Sequence, residues 1–286
     1  MNKGFKRVLT VSIILIFLGI ALLTGSIVAS KGDFKTISNA FEKFGVYLDG
    51  ANSVETTKTL TMNSTLSNVN LTFINSDITV TTSEDEKVHV SYEKRKNYAY
   101  SENFSNDNLI INESAPWLFN FSMKRTKVNI QLPQTTHLSD LILKNVSGLF
   151  QLVSVTANHI DLSGVDTSAT ITRCESSLSL NFSSVNGGLD LLSSNINDIN
   201  LKTVNGSFNI PSTTFNNLSI NTTNGDSNVA LSGNKDDYKI DFGTVNGSFN
   251  FDNNIFKGST VLTGNQAAKS ITFKAVNGNL TLKSIE

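Results

Sequence analysis

The sequence predicts an all-β chain, a single-stranded parallel β-solenoid carried behind an N-terminal transmembrane helix. Three observations predict it. A 21-residue uncharged, apolar run lies at Val8–Val28. Apolar and polar residues alternate from Leu60 onward. In the second half a turn motif centred on Val-Asn-Gly returns about every twenty residues, a period that signifies stacked coils.

The apolar run is long enough, at 1.5 Å per residue, to span roughly 30 Å of hydrocarbon. A signal peptide has a shorter apolar region of about 7–15 residues, and Ser26, Ala29 and Ser30 form no clean cleavage pattern. Residues 1–7 are therefore read as a short cytoplasmic tail and 8–29 as an uncleaved anchor. Lys3, Lys6 and Arg7 favour an inside N-terminus, although Lys31 and Lys35 follow the run. That orientation makes a single-pass cell-membrane protein with its C-terminal domain extracellular. Phe34, Ile37, Phe41, Phe44 and Leu48 recur at spacings of three and four, an amphipathic helix within a juxtamembrane linker, 30–58. The remainder, 59–286, is the solenoid.

From Leu60 the period is two. Leu60–Met62, Val69–Phe73, Ile78–Val80, Val88–Tyr92, Leu109–Ile111 and Val128–Leu132 read as strands, separated by Asn, Ser and Asp clusters that supply turns. The second half then aligns with itself on a twelve-residue template, apolar-x-apolar-x-x-Val-Asn-Gly-x-apolar-x-apolar. The clearest copies are INLKTVNGSFNI from Ile199, IDFGTVNGSFNF from Ile240 and ITFKAVNGNLTL from Ile271. Others start at Leu141, Ile160, Leu180 and Leu218; Thr167 takes the glycine position in the second, and Thr223 the valine position in the last. Successive starts are 19, 20, 19, 19, 22 and 31 residues apart. The two longest separations predict projecting loops at Ser232–Asp237 and Asn253–Lys269.

Within each apolar pair the spacing of two puts both side chains on one face. The breaks on either side of the valine predict corners, with Val185, Val204, Val245 and Val276 turned inward. The pairs Asn186-Gly187, Asn205-Gly206, Asn224-Gly225, Asn246-Gly247 and Asn277-Gly278 would turn those corners at positive φ. An isolated Asn-Gly would suggest a β-hairpin, but a recurrence at 19–22 residues favours stacked identical corners whose asparagines form a ladder. At about 4.8 Å per coil, seven copies span roughly 34 Å. Leu143, Leu162, Phe182, Leu201, Ile220, Phe242 and Phe273 hold the same template position and should form one inward column.

Little chemistry is visible. The formal net charge of −1 excludes a nucleic-acid partner, which needs a basic face. His89, His137 and His159 are far apart, with no metal-ligand spacing, and the lone Cys174 has no nucleophile motif and reads as a small buried residue. No metal, cofactor or catalytic residue is expected. Glu84-Asp85-Glu86 and Asp236-Asp237 read as solvated turns rather than calcium loops. A glycan lyase or hydrolase on such a scaffold would need converging acids, and the template offers one adjacent pair, Asp161 and Asp190, read at its second position, which Asp241 also holds. Lys94-Arg95-Lys96 and Lys124-Arg125-Thr126-Lys127 bracket Trp117, Phe119 and Phe121. That stretch is either an interface for anionic headgroups or wall polymer, or a strand packed on the first coils with its bases solvated.

The anchor, the VNIQLP segment at Val128–Pro133, LSDLILKNVSG at Leu138–Gly148, the aromatic WLFNF stretch and the Val-Asn-Gly series together resemble a widespread bacterial family of unknown function. It is known as the membrane-anchored "putative adhesins", some of them linked to envelope-stress operons. The resemblance spans roughly residues 60–286. It implies a β-solenoid in envelopes mostly of the Gram-positive type and brings no catalytic residues. The function it leads us to expect is non-enzymatic: a cell-envelope protein presenting a solenoid for adhesion, or for binding an envelope polymer or another membrane protein. A glycan-active enzyme is the alternative.

Overall fold

The structure, a computed structural model, describes residues 54–62, 65–96, 98–105, 107–115 and 125–284. The apolar run Val8–Val28, the amphipathic segment Phe34–Leu48 and the aromatic stretch Trp117–Phe121 lie outside them. Among the described residues no helix is long and apolar enough to cross a membrane.

In chain order the strands are β1 (Val54–Met62), β2 (Asn68–Thr82), β3 (Val88–Arg95), β4 (Ala99–Asn103), β5 (Asn108–Ser114), β6 (Thr126–Leu132), β7 (His137–Val153), β8 (Thr156–Thr172), β9 (Glu175–Asn186) and β10 (Leu189–Leu192). They continue with β11 (Asn195–Asn205), β12 (Phe208–Ile210), β13 (Asn217–Asn224), β14 (Ser227–Leu231), β15 (Tyr238–Asn246), β16 (Ser248–Phe251), β17 (Asn254–Lys257), β18 (Thr260–Thr263), β19 (Lys269–Asn277) and β20 (Leu280–Ser284). β1 begins at Val54, inside the segment read as linker, and β4 was not legible as an alternating run.

The middle of the chain is a solenoid-like stack of parallel strands. β7 pairs with β8, β8 with β9, β9 with β11 and β11 with β13, each in parallel register. Asn205 lies opposite Asn186 on one side and Asn224 on the other, as stacked coils require and a hairpin forbids. The next face repeats this through β8, β10, β12 and β14. Leu143, Leu162, Phe182, Leu201 and Ile220 follow one another across the stack as one buried column.

The ends depart from the simple solenoid. Ile220 is followed in space by Phe273, and only then by Phe242. The chain skips a level after β14, forms the outermost level with β15 and β16, and returns to fill the gap with β19 and β20. The expected loop at Asn253–Lys269 is therefore mostly sheet: β17 turns back on β16, and β18 pairs antiparallel with β15. Asp252 and Asn253, at φ of 47° and 68°, make the left-handed turn that fits a tight hairpin. The 22-residue separation holds a short 3-10 turn at Lys235–Asp237.

The N-terminal end uses the same device. β5 and β6 form a level outside β2, while β7 pairs with the opposite side of β2. β4 and β3 then run antiparallel along β5 and β6, and β1 runs antiparallel along β3. At each end a long parallel level is held between two others and the outer edge is occupied by antiparallel strands. Open edges invite pairing with other chains, and this topology covers them with the chain's own segments.

The corner assignment needs correction. The motif valines point outward: Val204 is 43% and Val245 74% exposed, and Val146, Val165, Val185 and Val276 are exposed as well. The inward residue is the one before. Asn145, Ser184, Thr203 and Thr222 are buried there. Ser184 Oγ donates to the Val165 carbonyl (3.2 Å) and Thr203 Oγ1 to the Val185 carbonyl (3.3 Å), each on the preceding coil. Threonine matches valine in size, so the selection is chemical: at Ser184 and Thr203 a hydroxyl at the corner satisfies a carbonyl of the preceding coil that valine would leave unpaired.

The glycines are required for positive φ at only some of the corners, and for close approach at Gly206 and Gly225 alike. No motif asparagine has positive φ, but Gly187 and Gly225 turn at φ of 150° and 156° as expected, whereas Gly206 lies outside that range. A Cβ on Gly206 would sit 2.0 Å from the Gly187 carbonyl oxygen, and one on Gly225 1.8 Å from that of Gly206. Close approach of neighbouring backbones selects glycine here. Non-glycine residues of the stack that turn at positive φ are Ser154, Arg173 and Ser193, at 58°, 53° and 49°, each one residue before an inward corner position held by Val155, Cys174 and Ser194. That second corner has no Gly or Asn to advertise it.

Candidate binding surface

Strand alternation and a parallel register kept through the Val-Asn-Gly corner make the outside of the stack a set of columns. One is the valine ridge, in spatial order Val146, Val165, Val185, Val204, Thr223, Val276 and Val245. Beside it runs the asparagine ladder. Asn205 Nδ2 donates to Asn186 Oδ1 (2.9 Å), Asn224 to Asn205 (2.8 Å), Asn277 to Asn224 (2.7 Å) and Asn246 to Asn277 (2.9 Å). The ladder expected from the repeats is thus present, with the order of its last two rungs inverted by the end topology.

Two shallow grooves follow these columns. One is lined by Val185, Val204 and Val276 with Lys202, Asn221 and Lys274. The other, past the Asn-Gly corner, is lined by Ser168, Thr170, Asp190, Ser207, Asn209 and Asp226, among others. Similar polar ladders occur elsewhere: Asn200 Nδ2 donates to Asn181 Oδ1 (3.0 Å), and Asn217 Nδ2 to Asp198 Oδ1 (2.8 Å).

The acid pair singled out in the sequence does not come together. Asp161 lies opposite Asn181 on the first face, whereas Asp190 lies opposite Thr170 and Asn209 on the second. The residue at the second position of the Leu180 copy is Asn181; Asp190 is the eleventh. The three histidines have separate neighbours: His89 bonds Asp85 (2.8 Å), His137 bonds Asn158 (2.8 Å) and His159 bonds Ser179 (3.0 Å). Cys174 is fully buried, and desolvation pushes its thiol up to about 11. Trp117, Phe119 and Phe121 fall outside the described residues.

The electrostatic centre of the molecule is at the N-terminal end, and sequence reasoning missed it. Arg95, expected to be solvated with its basic neighbours, is buried, as is Glu113. Arg95 Nη1 donates to Glu113 Oε1 (2.9 Å), which also accepts from Tyr100 OH (2.7 Å), and the Ile74 amide donates to Oε2 (2.9 Å). Beside it, Glu102 takes Lys94 (2.6 Å), Lys58 and the Tyr92 hydroxyl. Partial burial raises the Glu102 carboxyl, but the hydrogen bonds from Lys58, Lys94 and Tyr92 outweigh it and hold the group at about 2. Burial pushes the Tyr92 and Tyr100 phenols far above their usual range, with help from Glu102 and Glu113 respectively. The network is closed on itself: each carboxylate is engaged by several donors, which ties β1, β3, β4 and β5 together. One signal was legible. Glu113 continues the inward phase of Leu109 and Ile111, and an acid at such a position demands a buried cation.

The sequence matches the Toastrack DUF4097 family over residues 66–284. No curated protein matches it. Among solved structures it is similar to a "putative adhesin" from Bacteroides fragilis, with a TM-score of 0.50, 15% identity, and 82% of this chain and 100% of that one covered. A "putative adhesin" from Parabacteroides distasonis has a TM-score of 0.44 at 12% identity over 80% and 96% of the two chains. A "putative lipid binding protein" from the same species has a TM-score of 0.41 at 12% identity over 84% and 99%. At these identities the Bacteroides structure speaks for the fold alone. The family match covers every strand from β2 to β20, and on that ground this chain belongs to the Toastrack DUF4097 family.

Proposed function

We propose that this chain is a non-enzymatic cell-envelope protein that presents its β-stack for adhesion, or for binding an envelope polymer or a membrane partner. The observation that carries this reading is the columnar exterior. Valine, asparagine and hydroxyl side chains repeat level after level at the strand spacing of about 4.8 Å, so the surface offers the same contact many times along one direction. Such a surface suits an extended or repetitive ligand. Catalysis instead needs different groups aimed at one atom, and the acids on which a glycan-cleaving reading would rest lie on two faces. The apolar run at Val8–Val28 and the basic tail before it support a single-pass anchor with the stack outside the cell. The resemblance to envelope-stress-linked proteins supports a role in that response.

The test is capture by the full-length protein of purified peptidoglycan, teichoic polymers and membrane proteins, with retention that falls when Val204 and Val276 are changed to Asp. Retention of none of these would overturn the binding reading. Cleavage of a glycan that is lost in Asp161→Asn or Asp190→Asn would replace it with the enzymatic one. Protease added to cells with an accessible membrane should remove the stack; complete protection would refute the proposed orientation.

A further inference from the structure

Five Asn-Gly dipeptides stand in one column, and the structure treats them unequally. Asn-Gly is the dipeptide most prone to self-cyclisation, because a glycine amide nitrogen can reach the preceding asparagine side chain without a Cβ in the way. Inside the stack that nitrogen is engaged. Gly187 N–H donates to the Asn205 carbonyl (2.9 Å), Gly206 to Asn224 (3.0 Å), Gly225 to Asn277 (3.0 Å) and Gly278 to Asn246 (3.1 Å). Each bond points toward the next level. The corresponding side-chain oxygens of Asn186, Asn205, Asn224 and Asn277 each accept from the next asparagine of the ladder.

Asn246-Gly247 is the last rung. Asn246 Nδ2 donates down to Asn277, but among the described residues nothing donates to its Oδ1 and nothing accepts from the Gly247 amide. The antiparallel strands that cap this level leave the corner uncovered: β18 pairs with Lys239–Phe242 and β17 with Ser248–Phe251, on either side of it. Asn246 is exposed and Gly247 half-exposed.

We propose that Asn246 is a spontaneous deamidation site, and that the stack protects the other four Asn-Gly pairs. The Gly247 backbone nitrogen attacks Cγ of Asn246, and the N–Cγ bond forms as the Cγ–Nδ2 bond breaks. The amide proton leaves with the side-chain nitrogen as ammonia. Water then opens the five-membered imide at either carbonyl, giving aspartate or isoaspartate. The new carboxylate cannot donate to Asn277 Oδ1, so the ladder loses its end rung and the exposed corner beside Val245 gains a negative charge. This inference is independent of what the stack binds.

An interior pair must first break two hydrogen bonds that Asn246-Gly247 lacks. At ordinary net strengths that is a rate difference of about 30-fold, or about 2 kcal/mol at 1.36 kcal/mol per tenfold. The experiment incubates the full-length native protein at mildly alkaline pH, where the amide nitrogen is more easily deprotonated. Peptides carrying Asn186, Asn205, Asn224, Asn246 and Asn277 are then followed by mass spectrometry, with a urea-denatured sample alongside. Asn246 should convert about 30-fold faster than Asn205 and Asn224 in the native protein. The five should converge to similar rates when denatured. Asn246→Gln should abolish the fast phase of ammonia release. Equal native rates at Asn246 and the interior positions would overturn the proposal, as would a fast phase that survives in Asn246→Gln.

Discussion

Replacing Gly206 by alanine should destabilise the stack far more than replacing Val204 by aspartate, although by composition the second change looks the harsher. An alanine Cβ at 206 would lie 2.0 Å from the Gly187 oxygen and 2.7 Å from its carbon, both backbone atoms of the neighbouring coil. Cβ contacts under 3.0 Å are essentially never tolerated, so the corner has to open by about 1 Å, the difference between 3.0 and 2.0 Å. That opening falls on the bonds from Gly187 N to Asn205 O (2.9 Å) and from Thr203 Oγ1 to Gly187 O (3.3 Å), and neither survives a 1 Å stretch. Overpacking costs about 1–3 kcal/mol and each lost bond about 0.5–1.5 kcal/mol, so the total is about 4 kcal/mol. For a domain of this size that lowers Tm by on the order of 10 °C. Val204, by contrast, is 43% exposed, and an aspartate there stays in water. Its cost should remain under about 1 kcal/mol, mostly lost strand propensity and partial burial. Thermal unfolding followed by strand-sensitive circular dichroism, with urea titration alongside, measures both. If Val204→Asp proves the more damaging, or Gly206→Ala melts with the wild type, the corner geometry is wrong.

Other expectations follow from the N-terminal network and the core. Arg95→Met alone should cost about 3–5 kcal/mol because it strands the buried Glu113, while Arg95→Met combined with Glu113→Leu should recover most of the loss; equal stability of all three proteins would refute the buried pair. The Glu102 carboxyl is held at about 2, below its ordinary 4.5, so its contribution is full above about pH 4.5 and is lost as pH falls towards 2. Tm should drop over that window in the wild type and less steeply in Glu102→Gln. Cys174, buried with its thiol raised to about 11, should resist a thiol reagent at pH 8 until urea unfolds the chain, and rapid labelling of the native protein would contradict its position.

The repeat was legible because it is a one-dimensional property. Each template copy carries its own apolar pair, Ile199 with Leu201 or Ile240 with Phe242, and a strand's two-residue period assigns those side chains to one face without knowledge of any neighbour. Parallel stacking, the inward column from Leu143 to Phe273 and the asparagine ladder all follow from copies that are alike and about one coil apart. The direction of Val204 follows from alternation carried on from Leu201, but its apolar character between polar neighbours argues for the opposite face. Leu201, Thr203 and, after the two-residue bend at Asn205-Gly206, Phe208 point inward, and only the neighbouring coil shows the carbonyl of Val185 that makes a hydroxyl preferable to a valine there. The corner at Ser154, Arg173 and Ser193 was hidden for the opposite reason, since ordinary side chains accept positive φ when burial of the following residue repays the strain. Both ends were likewise invisible. The order in which β2 and β19 enter the stack, and the pairing of Arg95 with Glu113, depend on contacts between segments distant in sequence, and local pattern carries no record of which distant edge a strand will find.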